Sequence, residues 1–154
     1  MVGLAFEEFR IGAVFETAGI TVTEAMIIEY AFRYDPQPFH IDAIAASRSP
    51  YGGLIASGFQ TMSLTFRLFQ ATGMLSGTGW GEAGADEVRW LRPVRPGDTL
   101  RVKVTVAGVL PSRRPDRGIV RLAYATYNQH GEAVLTMTVN HLVLVGLVAA
   151  GQND

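Results

Sequence analysis

Asp35 and His40 stand five residues apart in the run Tyr34-Asp35-Pro36-Gln37-Pro38-Phe39-His40-Ile41-Asp42. A carboxylate and an imidazole held toward one pocket can do acid/base chemistry. One orients a water and takes its proton while the other delivers a proton to a second atom of a bound molecule. Pro36 and Pro38 remove backbone freedom between the two, so the pair can be held without reorganising. A plainer role is also open on residue type alone: Asp in such a segment is often a turn former and His a partner for backbone groups.

The elements that must position this pair follow from periodicity. Thr23 to Phe32 has a Thr cap and apolar residues at helical intervals, which predicts a short helix ending by Asp35, where Pro36 and Pro38 block its continuation. Asp35 to His40 is then expected as a stiffened loop, with a small helical turn across Asp42 to Ser47 and a loop through Pro50 and Gly52-Gly53. From Ser57 to Met74, Phe59, Met62, Phe66 and Phe69 recur on one face and Leu64 and Leu68 on another, with Arg67 the one charge. This predicts a buried helix capped by Ser57 and stopped at Gly73. The first turn of a helix carries unpaired N–H groups and a favourable dipole. Gly58, with no side chain, could bring a donor close to a developing negative oxygen, and ordinary capping at Ser57-Gly58 is compatible with that. Phe66 is expected either as a wall of the ligand cavity or as plain core.

Farther on the period changes to two. Leu100, Val102, Val104 and Val106 alternate with Arg101, Lys103 and Thr105, and Val120, Leu122 and Tyr124 alternate likewise. With Glu87 to Arg92 and Ala133 to Val145 these predict half-buried antiparallel strands, turned at Pro96-Gly97-Asp98 and His130-Gly131. The apolar tail from Leu142 to Ala150 is expected as a buried strand running into a frayed end. The order of elements suits an α+β layer in which an antiparallel sheet wraps a long central helix. The whole chain, 1–154 with a core of about 6–146, is expected as one domain.

Other features narrow the function. Hydrophobic residues make up 48% of the chain against 18% charged, which predicts that some apolar surface meets a second subunit. The net charge of -1 and scattered basic residues point away from nucleic acid, and the absence of cysteine excludes disulfides and thiolate chemistry. The histidines have no metal-ligand spacing, so no metal is expected. The N-terminus lacks the pattern of a signal peptide and no apolar run is long enough to span a bilayer, so a cytoplasmic protein without a membrane partner is expected. Gly79-Trp80-Gly81-Glu82-Ala83-Gly84 matches a dinucleotide fingerprint in letters only, since it follows a helix and precedes a strand. It is expected as a flexible loop. Arg113, Arg114 and Arg117 read as a solvated hairpin tip, with phosphate binding as the alternative.

The run from Asp35 to Asp42, the following Ala43-Ile44-Ala45-Ala46 and then Gly53-Leu54-Ile55-Ala56-Ser57-Gly58-Phe59 resemble the MaoC-like or R-specific enoyl-CoA hydratase family. Its motif is Asp-x-x-Pro-x-His-x-Asp, an alanine-rich turn and a glycine opening the central helix. The later Trp90-Leu91-Arg92-Pro93-Val94-Arg95-Pro96-Gly97-Asp98-Thr99-Leu100 is similar to the passage these proteins carry after that helix.

The resemblance implies the hot-dog fold, usually as a homodimer or as paired domains. It implies water addition to, or removal from, a 2-enoyl or 3-hydroxyacyl coenzyme A (or acyl-carrier) thioester, with coenzyme A as part of the substrate and no separate cofactor. It further implies that Asp35 and His40 are catalytic, that the Gly58 N–H binds the thioester oxygen, and that Ser57, Phe59 and Phe66 are substrate contacts. This chain has Ser57 where many members have His, and Phe66 where some have a small Ser. Two rival functions share the fold, a thioesterase and a non-catalytic thioester-binding subunit. The stretch between Asp42 and Glu82 holds no acid of the kind many such thioesterases set on the helix.

Overall fold

The computed structural model describes residues 2–146. Two short strands, β1 (Val14–Glu16) and β2 (Ile20–Thr21), precede the helices α1 (Glu24–Tyr34), α2 (Pro38–Ile41), α3 (Ala43–Ser47) and α4 (Gly58–Gln70). Four long strands follow: β3 (Gly79–Trp90), β4 (Thr99–Pro111), β5 (Arg117–Tyr127) and β6 (Ala133–Leu144). All pair antiparallel in the order β1-β4-β5-β6-β3, with β2 also on β4. The architecture is α+β, a hot-dog arrangement with the sheet packed on α4.

The alternation in β4, β5 and β6 sends Val102, Val104, Leu122, Tyr124, Leu135 and Val139 to the core face, against Leu64, Leu68 and Phe69 of α4. Helix and sheet also share a buried polar contact, Thr65 Oγ1 with Thr126 Oγ1 at 2.6 Å, so both hydroxyls are satisfied out of water.

Three expectations need correction. The stiffened loop is shorter than Asp35 to His40, because Pro38 starts the one-turn helix α2. Its ring fixes a helical φ at a position whose N–H would be unpaired in any case. The passage Gly79 to Gly84 is the first half of β3 and not a loop. Pairing with β6 overrides its weak strand propensity, and register shifts absorb two glycines, Gly81 at φ 99° and Gly84 at φ 148°, and one non-glycine with positive φ, Glu87 at φ 51°. Finally, α4 is not buried all round. The sheet covers one side, leaving Phe59 exposed and Met62 and Phe66 half-buried. Of the apolar tail, Leu142–Leu144 belongs to β6, and residues 147–150 lie outside the described residues.

One buried titratable cluster sits between helix and sheet. His141 of β6 is 1% exposed, and its Nε2 lies 2.7 Å from the Tyr124 hydroxyl. Burial pushes the Tyr124 phenol far above its usual range, so the hydroxyl donates and the imidazole Nε2 accepts. Burial also lowers His141 to about 4, although Glu82 Oε1 stands 3.5 Å from Nδ1. The folded imidazole thus stays neutral while an unfolded one takes a proton near its ordinary value of 6.5. Between those values the unfolded state binds more protons, so this residue makes stability fall as pH drops and stops doing so below about 4. Denaturant unfolding of the wild type and His141→Gln across this range should show the wild type losing up to ~3 kcal/mol relative to the variant on acidification. Parallel curves would contradict a neutral buried His141.

Candidate active site

Asp35 is the C-cap of α1. Its N–H still donates to the Ala31 carbonyl, but its own backbone leaves helical geometry (φ -155°, ψ 68°) because Pro36 follows. Gln37 N–H turns back to the Asp35 carbonyl at 2.8 Å, and α2 then carries His40 inward to 3% exposure. Asp42, the last residue of the run, accepts from Ile44 N–H at 2.9 Å and Ala45 N–H at 3.0 Å. It is the cap of α3, which explains an Asp there without any chemistry.

The imidazole is fixed from both ends. His40 Nδ1 lies 2.7 Å from the Ile55 carbonyl, which can only accept, so Nδ1 carries a proton. Nε2 faces Asp35 Oδ2 at 3.3 Å. When His40 is neutral, a lone pair and a carboxylate oxygen look at each other. A water seated against both, off the line that joins them, can donate to each.

Asp35 is itself held on both oxygens. Oδ1 accepts from Gln37 Nε2 at 2.8 Å and Oδ2 from Ser57 Oγ at 2.7 Å. Burial alone would raise its pKa, but the Ser57 and Gln37 hydrogen bonds and the neighbouring His40 outweigh it and hold the carboxyl below its ordinary value. Asp35 is thus an anion at neutral pH.

Ser57 caps α4, accepting from Phe59 N–H at 3.3 Å. Among the described residues no acceptor meets the Gly58 N–H, one of the unpaired donors of the first turn. Asp35, His40, Gly58 and Phe59 line one cavity of about 440 Å³, closed on its other side by Trp90 to Val94. Phe59 meets Trp90 edge to face at 5.6 Å.

The structure thus brings Asp35, His40, Gly58 and Phe59 together. Ser57 stands behind the cavity wall, fully buried, and touches Asp35. Phe66 lines a different hollow, of about 490 Å³, with Met62, Met137 and Val139, and lies parallel to His141 at 6.1 Å. The Arg113–Arg117 hairpin is at the opposite end of the sheet. Arg117, paired with Leu144, sits where β3 begins, and it lies over Trp80 at 4.8 Å.

Trp90 was not among the expected site residues, nor was Gln37. A tryptophan directly before Leu-Arg-Pro, and an amide two residues from a carboxylate, are the signals that could have found them. Glycine at 58 also has a reason besides the expected open approach for a ligand. A Cβ there would come within 2.5 Å of the Trp90 indole nitrogen, so the missing side chain makes room for Trp90.

The MaoC-like domain model matches residues 7–128. The chain belongs to this family. An uncharacterized protein, YdeM, of Bacillus subtilis is 33% identical over 126 residues, 82% of this chain and 89% of that one. A 3-hydroxybutyryl-CoA dehydratase of Methylorubrum extorquens is 30% identical over 119 residues, 74% of this chain and 71% of that one. The crystal structure of a MaoC-like dehydratase from Rhodospirillum rubrum superposes with a TM-score of 0.86 at 43% identity, covering 93% of this chain and 98% of that one. Proteins named as hydratases and as dehydratases are thus among the relatives of this MaoC-like chain. Among the described residues no cluster of His, Asp and Glu is arranged to hold a metal, and no helix is long and apolar enough to cross a membrane.

The contact of Trp90 with Gly58 gives a direct test of this MaoC-like site. Gly58→Ala should destabilise the protein by about 1–3 kcal/mol, the cost of overpacking, although Ala is the better helix former. In a Trp90→Ala background the same change should be neutral or stabilising. Equal losses in both backgrounds, measured by denaturant unfolding, would rule out the contact.

Proposed function

We propose that the chain is a hydro-lyase that adds water to a 2-enoyl thioester of coenzyme A, or removes it from the 3-hydroxyacyl product, in the R-specific manner its family resemblance implies. The observation that carries this reading is the facing of the ionised Asp35 and the His40 Nε2 at 3.3 Å, in the same cavity as the free N–H of Gly58. Water seated against both, on the cavity side, donates one hydrogen to Asp35 and one to Nε2 and turns its oxygen to the β-carbon. As the C–O bond forms, Nε2 takes the proton, and the electron pair of the double bond moves onto the thioester oxygen, where the Gly58 N–H stabilises it. Nε2–H then returns a proton to the α-carbon and His40 is neutral again. These steps are proton transfers and call for no cofactor. The name of one relative, a 3-hydroxybutyryl-CoA dehydratase, supports the reading. A cytoplasmic location fits such a substrate.

With a short trans-2-enoyl-CoA, the conjugated absorbance should disappear without release of free thiol. Thiol release would point to a thioesterase, and inertness to a panel of enoyl-CoAs would point to a binding subunit. Asp35→Asn and His40→Ala should each lower turnover at least ~100-fold with the fold retained. A near-normal rate in either would overturn the assignment.

A homodimer belongs to the same reading. β3 is an edge strand, exposed along most of its length, and it lies beside the uncovered apolar face of α4. Light scattering at micromolar concentration should give twice the chain mass, and a monomer would contradict the proposal.

A further inference from the structure

Ser57 is fully buried between the two halves of the site, and its one hydroxyl is committed in both directions. The hydrogen goes to Asp35 Oδ2 at 2.7 Å, and a lone pair receives the Phe59 N–H at 3.3 Å. A hydroxyl has a single hydrogen to give, so this one is not available to a substrate. Its place in the chain gives the arrangement a purpose. The next residue, Gly58, carries the N–H that faces the cavity, while Asp35 comes from the end of α1, more than twenty residues earlier.

From this geometry we infer that Ser57 is a positioning residue, which holds the Asp35 carboxylate at a fixed distance and angle from the first turn of α4 without touching substrate. The inference rests on the acid/base reading above and replaces the expected substrate contact at Ser57. Without the hydroxyl, Asp35 keeps Gln37 on Oδ1 and His40 beside Oδ2 but loses its only bond to the segment that carries Gly58. The carboxylate can then rotate, and a water resting on it no longer lines up with both Nε2 and the thioester oxygen held at Gly58. A small misplacement of this kind is felt in the chemical step more than in binding.

The test is Ser57→Ala, followed in two ways. The first is an NMR titration of the Asp35 side-chain carboxyl, which needs no turnover. Removing a hydrogen bond that lowers the carboxyl should move its midpoint to higher pH. The second is steady-state hydration of an enoyl-CoA, in which kcat should fall by about tenfold or more while KM stays nearly unchanged. A residue that only caps the helix would lower thermal stability and leave the Asp35 titration in place, and that result would overturn the inference. If Ser57→Ala does not fold, Ser57→Cys fills the same space with a weak donor, and its Asp35 midpoint should still rise. An unmoved midpoint there overturns the inference equally. Failure of the wild type to hydrate any enoyl thioester would overturn the proposed function, whereas the titration would still decide whether Ser57 holds Asp35.

Discussion

The hydrogen bond from His40 Nδ1 to the Ile55 carbonyl organises the site. It joins the segment that carries the acid/base pair to the segment that leads into α4, and it is buried, so breaking it would strand two polar groups without partners. Because a carbonyl has no proton to give, the bond also decides which imidazole nitrogen is protonated and turns the other toward Asp35. Ile55 N–H donates in return to the Phe39 carbonyl at 3.2 Å, and Ala56 N–H to the Val94 carbonyl at 2.8 Å. Three parts of the chain that are far apart in sequence are thus stitched by backbone groups, whose geometry depends little on which side chains surround them.

Much of the arrangement was legible in the sequence, for particular reasons. Val102, Val104 and Val106 alternate so strictly that a half-buried strand is the one structure that suits them. The end of α1 was readable because proline at 36 cannot follow a helical residue without strain. Asp35 and His40 stood out because two prolines lie within the short stretch that separates them. What could not be read depends on neighbours. Gly79 to Gly84 has the composition of a loop and is a strand only because β6 supplies the partner groups. The apolar pattern of α4 says that both faces avoid water but not what covers the second. Trp90 is remote from Asp35 in sequence, and its place over Gly58 follows from how β3 runs past the start of α4.

The glycine at 58 shows how one residue can satisfy two demands. Its N–H is left unpaired by the rule that governs every helix start, and its lack of a Cβ is required by the indole packed on it. The Trp90 indole therefore packs into the space that a Cβ at 58 would take, with Phe59 against it. Apolar rings thus stand beside an unpaired donor, so a bound molecule would give up hydration there.

That closeness makes Trp90 an optical probe built into the site. The chain has two tryptophans, and Trp80 lies at the other end of β3 beneath the Arg117 guanidinium. The two indoles differ in surroundings and in distance from the cavity, so a change in emission on filling the cavity would come from Trp90. Occupancy could be followed by intrinsic fluorescence with no label attached, including for molecules that bind and undergo no reaction.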